Sequence, residues 1–171
     1  MAVLNLVLYP DEPLLKIAEP IKKFGLDVQQ LAADMLETMY VHDGVGLAGP
    51  QVGVLKRIIV FHEPEGDPAC LINPEIYEWE GEETAEEGCL SVPELYAEVR
   101  RASRIKVRAF DPLGKKLDFE AFGLRARVTQ HETDHLDGIM MIDRLDILSR
   151  QGKLAEWEEI RARILSGVRG S

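Results

Sequence analysis

Apolar residues recur along this chain at two kinds of spacing, and the wider spacing predicts helices. In residues 26–41 they return every four positions, as in a helix that packs one face on a core. These positions are Leu31, Met35 and Met39. A similar stripe consists of Leu154, Trp157, Ile160 or Arg161, and Ile164. We therefore expect one helix at residues 26–41 and a C-terminal helix at about residues 150–166.

Shorter apolar patterns predict strands. Residues 58–61 (Ile-Ile-Val-Phe) are continuously apolar, which is typical of a strand buried on both faces. Residues 104–110 alternate between polar and apolar side chains, and residues 115–121 follow after the turn sequence Asp-Pro-Leu-Gly. These two segments predict a β-hairpin.

A third helix is predicted around two histidines. Its stripe consists of Leu124, Val128, His131 and His135. Gly138 suits the left-handed turn that commonly ends a helix. On a helix, His131 and His135 lie on one side, about 6 Å apart along the axis, so one metal ion can bridge them. Glu132 is then placed to accept a proton from water at the metal, as in metal-dependent hydrolysis of acyl bonds.

A catalytic metal site usually has three protein ligands, so a third is needed. No histidine or cysteine follows the predicted helix, and Asp143 has a salt-bridge partner in the adjacent Arg144. Upstream, the thiolate of Cys89 would complete a Cys-His-His set. Cys70 lies in a strand-like run and is expected to be a small buried hydrophobic residue. Without a third ligand, the histidines would equally suit hydrogen-bonded positions in a core.

Residues 44–53 (Gly-Val-Gly-Leu-Ala-Gly-Pro-Gln-Val-Gly) contain four glycines. Such a segment indicates a backbone in unusual conformations or in close contact with a ligand, but it lacks the Lys-Ser/Thr ending of a phosphate-binding loop. Gln51 directly follows a proline, so its neutral amide can be aimed rigidly at a polar atom. The alternative is an ordinary glycine-rich turn with a solvated glutamine.

Together, three segments resemble the peptide deformylase family. The family is recognised by Gly-x-Gly-Leu-Ala-x-Pro-Gln, Glu-Gly-Cys-Leu-Ser and Gln-His-Glu-x-Asp-His-Leu-x-Gly, in this order. The chain has these segments at residues 44–51, 87–91 and 130–138. The resemblance covers most of residues 5–145 and indicates the shorter bacterial type.

Two positions depart from the family pattern. Gly49 stands where alanine is usual, which would loosen the turn that carries Gln51. Tyr96 stands where several members have an arginine near the substrate. We therefore expect the contacts to peptide residues beyond the first to differ from those in family members that have the arginine.

The resemblance implies hydrolysis of the N-terminal formyl group of formylmethionyl nascent polypeptides, with release of formate. The residues by themselves indicate metal-assisted attack of water on a carbonyl, which is compatible with that reaction. The expected metal ligands are Cys89, His131 and His135. Glu132 would take a proton from the metal-activated water and hand it to the leaving amine. The backbone N–H of Leu90 and the side-chain amide of Gln51 are suitable donors to the developing oxyanion.

A thiolate with two imidazoles accommodates several metals, and the general order of affinities of divalent metals for protein ligands does not by itself choose among them. The resemblance implies Fe(2+) as the native ion, with Zn(2+), Ni(2+) or Co(2+) as substitutes. If iron is native, oxidation of the metal or of Cys89 in air would remove activity.

Further residues are expected to bind the peptide. Val45, Leu90 and Val128 would line an apolar pocket for the methionine side chain. Gly44 and Gly46 would leave their backbone free to pair with an extended peptide as an added strand. Ordinary core packing is the alternative for each of them.

The composition is that of a soluble domain. The 171 residues are 46% hydrophobic and 29% charged, which predicts one catalytic domain over residues 1–171. A net charge of -10 argues against DNA or general nucleic-acid binding, which needs a basic surface. The order of elements predicts an α+β fold, with antiparallel or mixed sheets around the central metal-binding helix and a C-terminal helix.

The start of the chain and its cysteines suggest the compartment. The apolar residues 2–8 are interrupted by Asn5, have no basic leader and are closed by Pro10, so they predict a strand rather than a signal peptide. No membrane segment is visible. Two distant cysteines form no disulfide framework, so we expect a reducing compartment, most simply the cytoplasm.

Two charged features remain. Glu87 adjoins the cysteine and is expected to pair with Arg101, similar to a structural pair in the family. The resemblance also suggests a contact between the C-terminal helix and the ribosome. The basic residues in and after this helix that could meet rRNA are Lys153, Arg161, Arg163 and Arg169. Because acids are interleaved, a packed or frayed terminal helix is an equal alternative.

Two other functions fit parts of the sequence. A metallopeptidase of the His-Glu-x-x-His type would share Glu132 but would need a longer cleft and ordinarily a downstream ligand. A deformylase-like binding protein without activity would keep only the fold. The complete set of ligands, with Glu132 and Gln51, argues against the second alternative.

Overall fold

The computed structural model describes residues 2–167, which contain two β-sheets and three α-helices. The strands are β1 (Gly46–Ala48), β2 (Ile58–Phe61), β3 (Ala69–Glu80), β4 (Glu83–Gly88), β5 (Tyr96–Arg101), β6 (Arg104–Phe110) and β7 (Lys116–Phe122). The helices are α1 (Leu26–Val41), α2 (Gly123–Leu136) and α3 (Ile147–Leu165). The predicted α+β class is confirmed.

All strand pairs are antiparallel. The larger sheet has the order β1-β2-β3-β6-β7, and β4 pairs with β5 in a separate two-stranded sheet. The predicted hairpin is present as β6 and β7; β6 has the expected bounds, and β7 begins and ends one residue later than expected. Among residues 2–167, β1 pairs with β2 alone and is therefore an edge strand.

The apolar run of β2 is buried because both faces of the larger sheet are covered. Ile58 and Val60 belong to a core cluster with Met35 and Met39 of α1. Ile59 and its neighbour on the same face belong to a second cluster that includes apolar residues of α2. Since successive side chains of a strand point to opposite faces, β2 holds α1 on one side and α2 on the other.

The N-terminal segment contradicts the prediction of a strand at residues 2–8. Its N–H groups bond to separate acceptors instead of a neighbouring strand. Leu4 N donates to Thr38 Oγ1 at 2.8 Å, and Val7 N donates to the carbonyl of Gln51 at 2.7 Å. The apolar side chains of the segment pack on two core clusters, which explains the pattern without a ladder.

The C-terminal helix α3 packs on the body of the protein. Trp157 and Ile160 are buried in a cluster with Leu14 and Val92. The helix begins earlier than predicted, because the side chain of Asp146 caps it by accepting a hydrogen bond from Ser149 N at 2.9 Å. Exposed Ile147 and Leu148 in its first turn gave no buried stripe to reveal this start. Arg169 lies outside the described residues.

Among residues 2–167, no helix has both the length and the apolar character needed to cross a bilayer.

Candidate active site

The three predicted metal ligands meet at one point. His131 and His135 come from the last turns of α2, and Cys89 comes directly after β4. One donor atom from each lies within 4.8 Å of the others. Cys89 Sγ is 3.4 Å from His135 Nε2, and the two imidazole centroids are 5.1 Å apart. These residues form a group that can hold a metal ion.

The orientation of His131 is set by a carboxylate. Its Nδ1 lies 2.8 Å from Glu87 Oε1, so Nδ1 donates to the carboxylate and Nε2 is left for the ligand cluster. Glu87 also accepts two hydrogen bonds from Arg101, at 2.7 and 3.0 Å. The expected pair of Glu87 and Arg101 is therefore present.

The charges around this carboxylate shift its pKa and that of His131. Burial opposes ionisation of Glu87, but hydrogen bonds from His131 and Arg101 hold its pKa well below the ordinary value. Burial also opposes a charge on His131, but the charge of Glu132, with hydrogen bonds to Cys89 and Glu87, raises its pKa well above the usual value. The site therefore favours positive charge at the position of the ligand cluster.

His135 has the opposite character. It is completely buried, and this burial, together with the charge of His131, holds its pKa well below the ordinary value. It is therefore a neutral imidazole, which is the form that binds metals. Its Nδ1 and Oε1 of Glu132 are buried without a hydrogen-bond partner among the described residues. Because buried polar atoms are rarely unpaired, Oε1 of Glu132, a residue that lines the cleft, indicates that another group binds there. Nδ1 of His135 does not mark the metal position, because Nε2 is the ring nitrogen that faces Cys89 Sγ. A metal ion fits this donor set of one sulfur and two nitrogens.

Glu132 lies beside the cluster as predicted. Its Oε2 is 3.9 Å from His131 Nε2, and only 5% of the residue is exposed. Burial raises the pKa of Glu132 to about 7, although the charge of His131 acts in the other direction. A carboxyl group with this pKa can both accept and release a proton near neutral pH.

Gln51 lies on a 3-10 helix, Gly49–Val52, that follows β1. Its Oε1 accepts a hydrogen bond from Ala48 N at 2.9 Å, which fixes the amide. Its Nε2 points at Cys89 Sγ, 3.4 Å away, and at Ser91 Oγ, 3.2 Å away. The backbone N–H of Leu90 has no acceptor among the hydrogen bonds of residues 2–167. The structure thus places both expected oxyanion donors next to Cys89.

A cleft of about 490 Å³ opens onto these groups. Its walls include every residue that the sequence predicted for substrate contact, namely Gly44, Val45, Gly46, Leu90 and Val128. Leu124 and Tyr96 also line it. Cys70 lies in β3, beside Val60 of β2, and packs partly buried on a core cluster, as expected.

Two charged residues of the site were not predicted. Arg127 is buried and bonds to Glu87 at 2.6 Å, and Asp134 bonds to Arg101 at 2.8 Å. The spacing of four between Arg127 and His131 is a signal that could have placed this arginine on the ligand face of α2.

The expected pair of Asp143 and Arg144 was wrong. Arg144 bonds to Asp134 at 2.6 and 3.0 Å, while Asp143 bonds to Arg150 at 3.1 Å. Asp143 turns back because its other oxygen accepts from Met140 N at 2.9 Å in a 3-10 turn.

Comparison with known proteins agrees with this geometry. The profile of the polypeptide deformylase family matches residues 3–151. The peptide deformylase of Thermodesulfovibrio yellowstonii is 49% identical over 155 residues, which cover 88% of this chain and 94% of that protein. The peptide deformylase of Neisseria gonorrhoeae is 47% identical over 156 residues, which cover 90% of this chain and 93% of that protein.

Solved structures have the same fold. The crystal structure of a peptide deformylase from Legionella pneumophila matches with a TM-score of 0.90 and 38% identity, covering 99% of this chain and 100% of that one. The peptide deformylase from Thermus thermophilus matches with a TM-score of 0.89 and 41% identity, covering 98% of this chain and 100% of that one. This chain therefore belongs to the polypeptide deformylase family.

Proposed function

We propose that this chain hydrolyses the formyl group from the N-terminus of formylmethionyl nascent polypeptides and releases formate. One observation carries the proposal: the donor atoms of Cys89, His131 and His135 lie within 4.8 Å of one another. Glu132 stands at the same cleft, and the edge strand β1 borders it. Membership of the family supports the same reaction.

The metal ligands are Cys89, His131 and His135, and the native ion is Fe(2+), with Zn(2+), Ni(2+) or Co(2+) as substitutes. A bound ion of this kind supplies Lewis acidity, which polarises the formyl oxygen and makes water nucleophilic near neutral pH. Glu87 holds His131 with Nδ1 protonated, so that its Nε2 is available.

Glu132 moves the proton of the reaction. It accepts a proton from the attacking water through a carboxylate oxygen, while the water oxygen bonds to the formyl carbon. It then gives this proton to the nitrogen of the leaving amine as the C–N bond breaks, which yields formate and a free α-amine. The pKa of about 7, raised by burial, suits both transfers.

Gln51 and Leu90 stabilise the negative charge that develops on the formyl oxygen. The amide of Gln51 is fixed through Ala48 N, so it needs no reorganisation during the reaction. Its Nε2 has two weak acceptors, at 3.4 and 3.2 Å, which substrate oxygen can replace. The N–H of Leu90 contributes the second donor.

The peptide lies along β1. The open side of this edge strand leaves the backbone of Gly46 available for pairing with an extended substrate. Gly44 precedes the strand, and its N–H already donates to the carbonyl of Met39 at 2.9 Å, so Gly44 would offer the peptide its carbonyl rather than its N–H. Val45, Leu90 and Val128 form the apolar wall for the methionine side chain.

The whole chain acts as one catalytic domain in this proposal, because Trp157 of α3 donates a hydrogen bond to the carbonyl of Tyr9 at 2.9 Å. The role of α3 is therefore packing. A ribosome contact has less support, since Lys153 pairs with Glu156 at 3.3 Å and Arg161 lies 3.7 Å from Asp11. The two cysteines are free thiols, which suits the reducing cytoplasm.

Formate release tests the function. Protein prepared and loaded with Fe(2+) without oxygen should release formate from formyl-Met-Ala-Ser and leave unformylated peptides uncleaved. Cleavage of unformylated peptides would favour a metallopeptidase. The Glu132→Ala variant should retain the metal and lose nearly all activity, and full activity in this variant would overturn the mechanism.

A further inference from the structure

Arg127 lies at the active site, but the proposed reaction assigns it no function. Its side chain is 9% exposed, and its guanidinium makes three hydrogen bonds to the two-stranded sheet. Nη1 donates to Glu87 Oε2 at 2.6 Å and to the carbonyl of Val99 at 2.8 Å. Nη2 donates to the carbonyl of Glu83 at 2.7 Å.

These bonds fasten both strands of the small sheet to the metal-binding helix. Glu83 begins β4 and Glu87 is its next-to-last residue, while Val99 lies in the middle of β5. Cys89 directly follows the last residue of β4. The distance from the thiol to the imidazoles therefore depends on how this sheet docks on α2, and one guanidinium spans that junction.

Arg127 also completes the coordination of Glu87. Oε1 of Glu87 accepts from His131 and Arg101, and Oε2 accepts from Arg101 and Arg127. Arg101 divides its bonds between Glu87 and Asp134, whereas Glu87 is the sole carboxylate paired with Arg127 among residues 2–167. Loss of Arg127 would thus remove one of the two hydrogen bonds to Oε2 and leave Arg101 as the one guanidinium that holds the carboxylate against His131.

We propose that Arg127 is a positioning residue of the metal centre, which sets the placement of Cys89 and the orientation of His131 through its bonds to β4, β5 and Glu87. The inference rests on the metal site of the proposed function. Arg127 touches neither the ligand atoms nor the reacting groups, so it acts through other residues. Removal of such an outer partner typically weakens metal binding by about 10- to 100-fold.

Titration of metal-free protein with Co(2+), in competition with a chelator, tests this role. The Arg127→Met variant keeps a long unbranched side chain and removes the hydrogen-bond donors of the guanidinium. We expect about 10- to 100-fold weaker Co(2+) binding and a shifted charge-transfer absorption from the thiolate to cobalt. Arg127→Lys should fall between Met and wild type, and it provides the measurement if the Met variant does not fold.

Arg125→Met is the matched control. Arg125 lies on the same helix, but its guanidinium is 3.8 Å from Glu63 and above the rings of Phe61 and Phe119, away from Glu87. This variant should bind Co(2+) like the wild type. All titrations are made well below the melting temperature of each protein, so that loss of stability alone does not change the affinity.

A second comparison separates positioning from general stability. Arg127 acts partly through Glu87, so the effects of the two substitutions should overlap. The fold-loss of Co(2+) affinity in the double variant Arg127→Met/Glu87→Gln should therefore be smaller than the product of the fold-losses in the two single variants. Wild-type affinity and absorption in Arg127→Met would overturn the inference and leave the proposed function intact. A wild-type protein that fails to bind Co(2+) would overturn the proposed metal site and this inference with it.

Discussion

Gly46 of β1 and Glu132 of α2 approach so closely that no side chain fits between them. A β-carbon on Gly46 would lie 2.6 Å from Oε2 and 2.9 Å from Cγ of Glu132. It would also lie 2.9 Å from Cγ1 of Val128. The strand proposed to bind the peptide therefore touches the carboxylate proposed to move the proton.

The variant Gly46→Ala should lose activity through this contact. The added methyl group displaces the carboxylate of Glu132, and a displacement on the order of 1 Å can lower kcat by about 100-fold. Formate release from formyl-Met-Ala-Ser measures the loss, and metal content shows that the ligands remain in place.

Gly152→Ala is the control for this glycine. A β-carbon at Gly152 has nothing within 4 Å, and the residue lies on the exposed surface of α3. We expect unchanged kcat and about 0.4–1 kcal/mol of added stability. If Gly46→Ala retained the wild-type kcat, Glu132 would have room to move, and its close packing against β1 would be unimportant.

Gln51→Ala should lower kcat by about 100- to 1,000-fold, because it removes one donor to the developing oxyanion. Ser91→Ala is the matched control, since Ser91 Oγ lies 3.2 Å from Gln51 Nε2 but leaves the amide in place. Its kcat should stay within a few-fold of the wild type. Equal losses in both variants would mean that Gln51 serves the packing around Ser91 rather than the reaction.

The sequence predicted elements whose pattern is local. The continuous apolar run of β2 followed from its position between α1 and α2. His131 and His135 are separated by one helical turn, so their convergence needed no knowledge of the fold. Cys89 could be joined to them because the chain has only one other cysteine.

Contacts that depend on how the sheets dock were not visible in the same way. Arg127 and Glu87 are 40 positions apart, and their contact exists only because the small sheet lies against α2. Arg144 bonds to Asp134 of α2 rather than to its neighbour in sequence, because Asp143 is turned back onto Met140 N, which the sequence pattern did not reveal. The failed prediction of a strand at residues 2–8 shows that an apolar pattern indicates burial, whereas a ladder also needs a neighbouring strand.

The two cysteines should differ in reactivity. Burial, with a smaller effect from the charge of Asp111, raises the pKa of Cys70 to about 12. At pH 8 only about one Cys70 in ten thousand is then a thiolate, and this fraction rises tenfold with each pH unit up to that pKa. Metal-free protein at pH 8 should therefore react quickly with a disulfide reagent at Cys89, which borders the cleft, and slowly at Cys70.

Zn(2+) provides the control for this experiment. Its addition should protect Cys89, and Cys70→Ala should leave the fast phase unchanged. Mass spectrometry of the labelled peptides assigns each phase. A fast phase at Cys70 would contradict the burial of this thiol, and a fast phase that persists with Zn(2+) bound would contradict the assignment of Cys89 as a ligand.

Trp157 anchors α3, and its substitution should affect stability rather than catalysis. The residue is 1% exposed, and its Nε1 donates to the carbonyl of Tyr9 at 2.9 Å. Trp157→Phe removes this bond and should cost about 1–3 kcal/mol, while Trp157→Ala also leaves a cavity and should cost about 3–5 kcal/mol. Ile147→Ala, at a residue that is 76% exposed, should change the free energy of unfolding by less than about 0.5 kcal/mol. Urea unfolding of the metal-loaded proteins measures these differences.

The same variants should keep their activity, because no residue of α3 lines the cleft. We expect kcat at 25 °C to stay at the wild-type value. A lower kcat in folded Trp157→Phe would show that α3 also acts on the active site.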